Sequence, residues 1–148
     1  MRKLKFDTCF DDCKIAEMSA LLPATYVVLN ELAPWREGKW PHNVHCMDDA
    51  RIIDGRKRGA GHGMTYVGGP RADHIWMNPH MSWEGYWLVF IHENLHHAFP
   101  DATEDELNNV LVPHVYTEVT GHKINKKWAR KHGLGPPQPG IGDRGYLK

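Results

Sequence analysis

Apolar positions in the first part of the chain recur at helical spacing. Between residues 8 and 33 they fall three or four residues apart, which is typical of a helix that buries one face. Pro23 interrupts the pattern, and a proline inside a helix removes a hydrogen bond and clashes with the preceding turn. The pattern therefore predicts either a kinked helix or two pieces, the second over about residues 24–32.

Between residues 43 and 78 the pattern changes to short runs of β-branched and aromatic residues separated by glycine-rich breaks. Such runs predict strands, which we assign to residues 44–47, 51–53, 64–67 and 74–77, with connections at 56–61 and 68–70. Strands that follow one another in sequence usually form an antiparallel sheet. We therefore expect an α+β fold in which a small, mostly antiparallel sheet packs on the N-terminal helix and on a later helix.

Helical spacing returns after residue 80 and predicts one or two further helices beyond the next one. Ser82 is a suitable N-cap for a helix that ends near Phe99, and Thr103 followed by Glu106 is the pattern of a capping box. Apolar positions then continue, with a possible bend at Pro113, to a stop at residue 121. A last basic helix is expected over 123–132. The prediction is one domain, 1–132, followed by a Gly- and Pro-rich tail, 133–148.

Composition narrows the class of protein without identifying a partner. The chain has 148 residues, enough for one core, and its 18 basic side chains equal its 18 acidic ones, so no global charge directs it to nucleic acid or membrane. No apolar run reaches membrane-spanning length, and the polar start is unlike a signal peptide. We therefore expect a cytoplasmic protein that does not enter a membrane.

The cysteines fit that compartment. Three cysteines, an odd number, suit a reducing environment with free thiols better than a disulfide framework. A second zinc site built from Cys9, Cys13, His45 and Cys46 is the alternative, although the paired C-x-x-C knuckles of such sites are absent.

The chemistry is concentrated in residues 87–99, which contain the pattern H-E-x-x-H. His92 and His96 are four residues apart and lie on one helical face, so both imidazoles can reach a single metal ion while Glu93 lies beside them. Two imidazoles and a carboxylate suit zinc and leave a fourth position for water, which the metal makes acidic. Glu93 would then accept the proton of that water. The alternative is a helix that only packs, but burying these polar groups without partners is costly.

The order of helix, small sheet, strand at residues 75–79, H-E-x-x-H helix and second helix resembles the zincin metallopeptidases. Among them the chain is most similar to small minimal zincins, namely the SprT-like group, the ImmA/IrrE-like group and phage-encoded metallopeptidases. The resemblance covers about residues 72–113 and rests on His92, Glu93 and His96, with the Pro-Asp turn after Phe99 matching the phage-encoded members. It implies a zinc-dependent peptidase that acts on protein or peptide substrates inside a bacterial host.

The third metal ligand follows from the resemblance less directly. In related families a glutamate on the next helix is the ligand, which implies Glu104, and Asn108 then matches the E-x-x-x-N spacing of the ImmA/IrrE-like group. The chain departs from that group at Leu107, where alanine is usual, and in the short distance to the motif. Asp101 and Glu118 therefore remain alternatives to Glu104.

The resemblance also suggests that an edge strand near residues 64–67 holds the substrate in extended form. His62, Tyr66, His114 and Tyr116 are unranked candidates for stabilising the oxyanion. Two other functions stay open. One is a catalytically silent binding protein with a zincin fold. The other is a DNA-associated protease of the SprT-like kind, using basic stretches near Arg56 and Lys126, although nucleic acid is not the favoured partner.

Overall fold

The part of the chain that the computed structural model describes has an α+β fold. It comprises residues 3–47, 52–53, 56–57 and 63–123, with backbone only at 52–53 and 56–57. The helices are α1 (Asp12–Ser19), α2 (Leu22–Leu32), α3 (Trp83–Ala98), α4 (Glu104–Glu106) and α5 (Val112–Thr120), with a 3₁₀ turn at Pro34–Arg36 and a π-helical turn at Leu107–Leu111. The strands are β1 (Lys5–Phe6), β2 (Asn43–Cys46), β3 (Ile52–Ile53), β4 (Arg56–Lys57), β5 (Gly63–Thr65) and β6 (His74–Met77).

The main sheet is mixed, so the expectation of a mostly antiparallel sheet was wrong. Its order is β1-β2-β6-β5, with β2 parallel to both β1 and β6 and only β5 antiparallel to β6. The reason is connection length, because the long stretch between β2 and β6 lets the chain return in the same direction, whereas β5 and β6 form a hairpin. β3 and β4 pair separately, although residues 56–57 were predicted as a connection, and β1 was not predicted.

Helix α3 is the centre of the fold. It packs against β5 and β6 of the sheet and also against α1, α5 and the π-helical turn. The N-terminal helices were expected to pack on the sheet, but their main contacts are α1 with α3 and α2 with α5. α3 takes this position because residues 85–91 are all apolar, and Tyr86, Trp87, Phe90 and Ile91 are all buried.

Local signals fixed the helix ends. Pro23 lies in the first turn of α2, where a missing N–H costs nothing, so the two-piece interpretation of residues 8–33 was right. The Ser82 hydroxyl accepts a hydrogen bond from the Gly85 N–H at 3.1 Å, and Thr103 and Glu106 form the predicted capping box.

The bend expected at Pro113 takes a different form. A π-helical turn over Leu107–Leu111 separates α4 from α5, and Pro113 lies harmlessly in the first turn of α5. Gly121 ends α5 with φ of 76°, a left-handed conformation that glycine adopts without strain.

The prediction for the cysteines was partly wrong. Cys9 and Cys46 form a disulfide and only Cys13 is a free, exposed thiol, so the expectation of unpaired cysteines was wrong for two of the three.

Three predictions lie outside the described residues. They are the helix at 123–132, the tail at 133–148 and the domain boundary between them. Among the helices of the described part, none combines the length and apolarity needed to cross a membrane.

A buried hydrogen bond between α2 and α3 gives the first prediction. Thr25 is fully buried, and its hydroxyl donates to the Leu21 carbonyl and accepts from Trp87 Nε1 at 2.9 Å. Replacing Thr25 by Val leaves the indole N–H buried without a partner, which should lower the free energy of unfolding by about 1–3 kcal/mol. Urea unfolding measures this difference. Thr25→Ser, which keeps the hydroxyl, should cost less, and a Val variant as stable as the parent would contradict the assignment.

Candidate metal centre

Helix α3 is partly accessible along one stripe that carries the two histidines of the motif. Between Gly85 and Ala98 all its residues are buried except Val89, His92 and His96. These three follow one another at three- and four-residue steps and so lie on one face. The side chains of His92 and His96 are 15% and 23% exposed. An otherwise buried helix therefore presents two imidazoles to one cleft.

Glu104 closes a triangle with these imidazoles. His92 Nε2 lies 3.0 Å from Glu104 Oε2, His96 Nε2 lies 3.0 Å from Glu104 Oε1, and the two Nε2 atoms are 3.1 Å apart. Ligand atoms around a tetrahedral zinc with bonds of about 2.0–2.1 Å are separated by roughly 3.3 Å. The three side chains are thus spaced close to what one such ion requires.

One bound cation would satisfy the three side chains better than hydrogen bonds among them do. Each Nε2 can carry one proton, so if both donate to the Glu104 carboxylate, the two N–H groups face each other at 3.1 Å. If instead one Nε2 is unprotonated, its lone pair faces the carboxylate. A single divalent ion would accept a lone pair from all three groups. His92, His96 and Glu104 are accordingly a group with the geometry and the donors for a metal ion.

The electrostatics of the metal-free side chains show how strongly the three groups interact. Hydrogen bonds from His92 and then His96 hold the pKa of Glu104 well below its usual range. Burial lowers the pKa of His92, but hydrogen bonding with Glu104 and the charge of Glu93 outweigh it, so the net pKa is raised. The Asn108 side chain also hydrogen-bonds to His92, which is the kind of support that orients a ligating histidine.

Glu93 lies inside the same cleft and is only 4% exposed. A cavity of about 390 Å³ adjoins it, bounded on one side by α3 and Glu104 and on the other by β5 and the residues after it. Its lining consists of Gly63, Met64, Thr65, Val67, His92, Glu93, His96 and Glu104. The cleft therefore combines a possible metal centre, a buried carboxylate and a strand at the edge of the described sheet.

The alternatives for the third ligand are not brought to this cluster. Asp101 and Glu118 are exposed, and neither belongs to a group with the two histidines within the described residues. The proposed oxyanion stabilisers Tyr66, His114 and Tyr116 do not line the cavity. His62 lies outside the described residues, as do Lys126 and the side chain of Arg56, on which a DNA-associated function would depend.

His97 is buried and lies outside the accessible stripe of α3 formed by Val89, His92 and His96. Its Nε2 lies 2.7 Å from Thr65 Oγ1, which itself donates to the His74 carbonyl at 2.9 Å. Since that hydroxyl has only one proton, it accepts from a protonated Nε2 of His97. Burial, followed by the charges of Arg36 and His96, lowers the pKa of His97 to about 4. The neutral imidazole thus ties α3 to the strand that forms the other wall of the cleft.

The sequence did not reveal the importance of Gly63. A Cβ at this position would lie 2.4 Å from Val89 Cγ1, 3.0 Å from the Trp76 carbonyl oxygen and 3.2 Å from Glu93 Oε1. Glycine thus lets β5 approach α3 directly beside Glu93. A glycine next to a strand pattern is a known sign of such close approach, and it was the available signal.

Comparison of the chain with protein-family models, with curated proteins and with solved structures finds no match in any of the three. What the cleft does must accordingly be argued from its own residues.

The close approach at Gly63 generates a second prediction. Gly63→Ala should lower the free energy of unfolding by about 1–3 kcal/mol, because the added methyl group overlaps Val89. The double variant Gly63→Ala/Val89→Ala removes the nearest clash and should be less destabilised than the sum of the two single changes. Chemical denaturation of the four proteins tests this. Strict additivity would mean that the two positions do not touch.

The buried His97 generates a prediction of pH dependence. Its pKa is about 4 in the folded chain against about 6.5 when unfolded, so below pH about 6.5 the unfolded state binds a proton that the folded state does not. Its contribution to stability is therefore present above that pH and is lost as the pH falls towards 4.

His97→Gln keeps an N–H donor for Thr65 but cannot titrate. The free energy of unfolding of this variant, measured with a chelator present, should fall less between pH about 7 and about 5 than that of the parent. His80→Gln, at an exposed histidine, is the matched control and should keep the slope of the parent. Equal slopes for all three proteins would show that His97 is not buried in its neutral form.

Proposed function

We propose that the protein is a zinc-dependent peptidase whose metal ligands are His92, His96 and Glu104 and whose general base is Glu93. The observation that carries this proposal is the convergence of the three ligand groups, at 3.0–3.1 Å from one another, in a cleft that also contains Glu93. A structural zinc site normally closes its fourth position with another Cys or His, whereas here the fourth side is cleft.

Zinc bound by these three groups supplies a Lewis acid that polarises a carbonyl and lowers the pKa of a bound water. His92, His96 and Glu104 would hold the ion, and because only Glu104 among them carries a negative charge, a divalent ion there would keep a net positive charge. Asn108, through its hydrogen bond with His92, fixes the orientation of one ligand.

Glu93 is suited to the proton transfers. It follows His92 directly on α3 and lines the cleft beside the metal face, where little water competes for its carboxylate. We assign it the removal of a proton from the attacking water and the return of that proton to the departing amine. Gly63 contributes by its lack of a side chain, which leaves the space in front of Glu93 open.

The substrate class follows from the other wall of the cleft. β5 ends the strand order of the described sheet, and Gly63, Met64 and Thr65 all line the cavity. An extended peptide can add to such an edge through main-chain hydrogen bonds. Met64 and the half-exposed Val67 offer apolar contacts to its side chains. We therefore infer a protein or peptide substrate bound in extended form.

The metal assignment predicts a specific pattern of zinc content. Elemental analysis of the purified protein should find about one zinc per chain, and Glu104→Ala should weaken zinc binding more than the roughly 10–100-fold expected for loss of an outer-shell partner in Asn108→Ala. Asp101→Ala and Glu118→Ala, at exposed carboxylates, are the matched controls and should retain zinc. If either control loses zinc while Glu104→Ala retains it fully, the third ligand is the residue changed in that control and not Glu104.

Glu93→Gln separates catalysis from metal binding. This change keeps the size of the side chain, so zinc content should be unchanged, while hydrolysis of a fluorescent, unfolded casein should fall about 10²–10⁴-fold. If the parent binds zinc but neither it nor the variant cleaves casein or a random peptide library, a catalytically silent binding protein replaces the peptidase. If the folded parent contains no stoichiometric zinc, both the peptidase and the silent zinc-binding protein are excluded.

A further inference from the structure

A second cluster of potential ligands lies on the strands, apart from the α3 cleft. Asp7 and Cys9 follow β1, and Cys46 is the last residue of β2. The two sulfur atoms and a carboxylate oxygen of Asp7 all lie within 4.8 Å of one another. This group differs from the set suggested by the sequence, because Cys13 is elsewhere on α1 and Asp7 takes its place.

The Asp7 carboxylate is held in position by its neighbours. It accepts a hydrogen bond from the Cys46 N–H at 3.3 Å, and both its oxygens lie 3.2 Å from His45 Nδ1. His45 Nε2 in turn lies 2.7 Å from His74 Nδ1, and the two rings stack. Metal-ligating carboxylates are themselves hydrogen-bonded to neighbouring groups, and Asp7 meets that condition.

We propose that, when the disulfide is reduced, Cys9, Cys46 and Asp7 bind a thiophilic divalent cation such as zinc. Asp7 contacts His45 in the disulfide form, and once the disulfide is reduced its carboxylate would lie beside two thiolates as a third negative charge. A divalent cation reverses this repulsion, since thiolate and carboxylate are both ligands that zinc accepts. His45 Nδ1 is directed to Asp7, so we assign His45 a supporting role and not that of a ligand.

The arrangement would give the short N-terminal strand a second anchor. β1 is only two residues long and, within the described sheet, pairs only with β2, while the ligands come from the segment after β1 and from the end of β2. An ion bound there joins the two segments, so the free energy of binding adds to that of folding. The disulfide joins the same two segments when the cysteines are oxidised.

Reduction and oxidation of the two cysteines interconvert the metal-bound form and the disulfide form. A phosphine reductant cleaves the S–S bond, takes an oxygen atom from water to become the phosphine oxide, and leaves two thiols. Binding of the divalent cation then releases the two thiol protons and forms two metal–sulfur bonds. Oxidation of the thiols by a small-molecule disulfide reforms the Cys9–Cys46 bond, yields two small thiols and expels the ion.

Cobalt titration tests the proposal on the full chain. Co²⁺ added to the phosphine-reduced protein in the absence of oxygen should produce the near-ultraviolet charge-transfer band of thiolate–cobalt bonds. The described lining of the α3 cleft includes no cysteine, so this thiolate band reports the second cluster alone. The variant His92→Ala/His96→Ala should therefore keep the band whether or not the peptidase proposal is correct.

The variants make the assignment specific. Cys9→Ser and Cys46→Ser should each abolish or strongly reduce the band, Asp7→Asn should weaken cobalt binding at least about tenfold, and Cys13→Ser, at the exposed free thiol, should leave it unchanged. The proposal is overturned if the reduced parent shows no thiolate band, if the band depends on Cys13, or if Asp7→Asn binds cobalt as tightly as the parent.

Discussion

The structure depends on one constraint, which is that a helix buried on nearly every side carries polar groups with little access to water. α3 packs between the sheet and the other helices, yet it contains His92, Glu93, Asn94, His96 and His97. Each needs a partner, because an unsatisfied polar group in a core is costly. The Asn94 amide donates to the Phe90 carbonyl at 2.8 Å, while its buried Oδ1 has no hydrogen-bond partner among the described residues. His97 finds Thr65, and His92 and His96 find Glu104. The polar groups of α3 thus determine much of what surrounds it.

The partners of these polar groups lie on two sides of α3. Towards β5, the His97 to Thr65 hydrogen bond and the glycine at position 63 hold strand and helix close together. Towards α4, the capping box at Thr103 and Glu106 starts the next helix and directs Glu104 back to the histidines. The π-helical turn that follows brings Asn108 to His92. The cleft is therefore formed by short-range features on both sides of one helix.

The sequence predicted what local chemistry determines. The helix ends were predictable because caps and prolines act within a few residues. The residues that marked them are Ser82, Thr103, Pro23 and Gly121. The motif placed His92 and His96 on one face because helical spacing requires it, with Glu93 beside them. The sheet was harder, because the parallel pairing of β2 with β6 depends on a connection whose path no local pattern encodes. Glu104 needed the resemblance to known metallopeptidases, and Gly63 mattered only through residues far away in the sequence. Asp7 escaped notice because its partners His45 and Cys46 lie on β2, far from it in the sequence.

The spacing of the α3 cleft along the chain has a consequence for how it assembles. All three proposed metal ligands lie between residues 92 and 104, so the loop that unites them is short and closing it costs little chain entropy. The opposite wall, β5, lies earlier in the chain and must be brought to α3 by pairing with β6. During folding, the ion-binding end of the cleft can therefore form from nearly contiguous chain, before the surface that would hold a substrate exists.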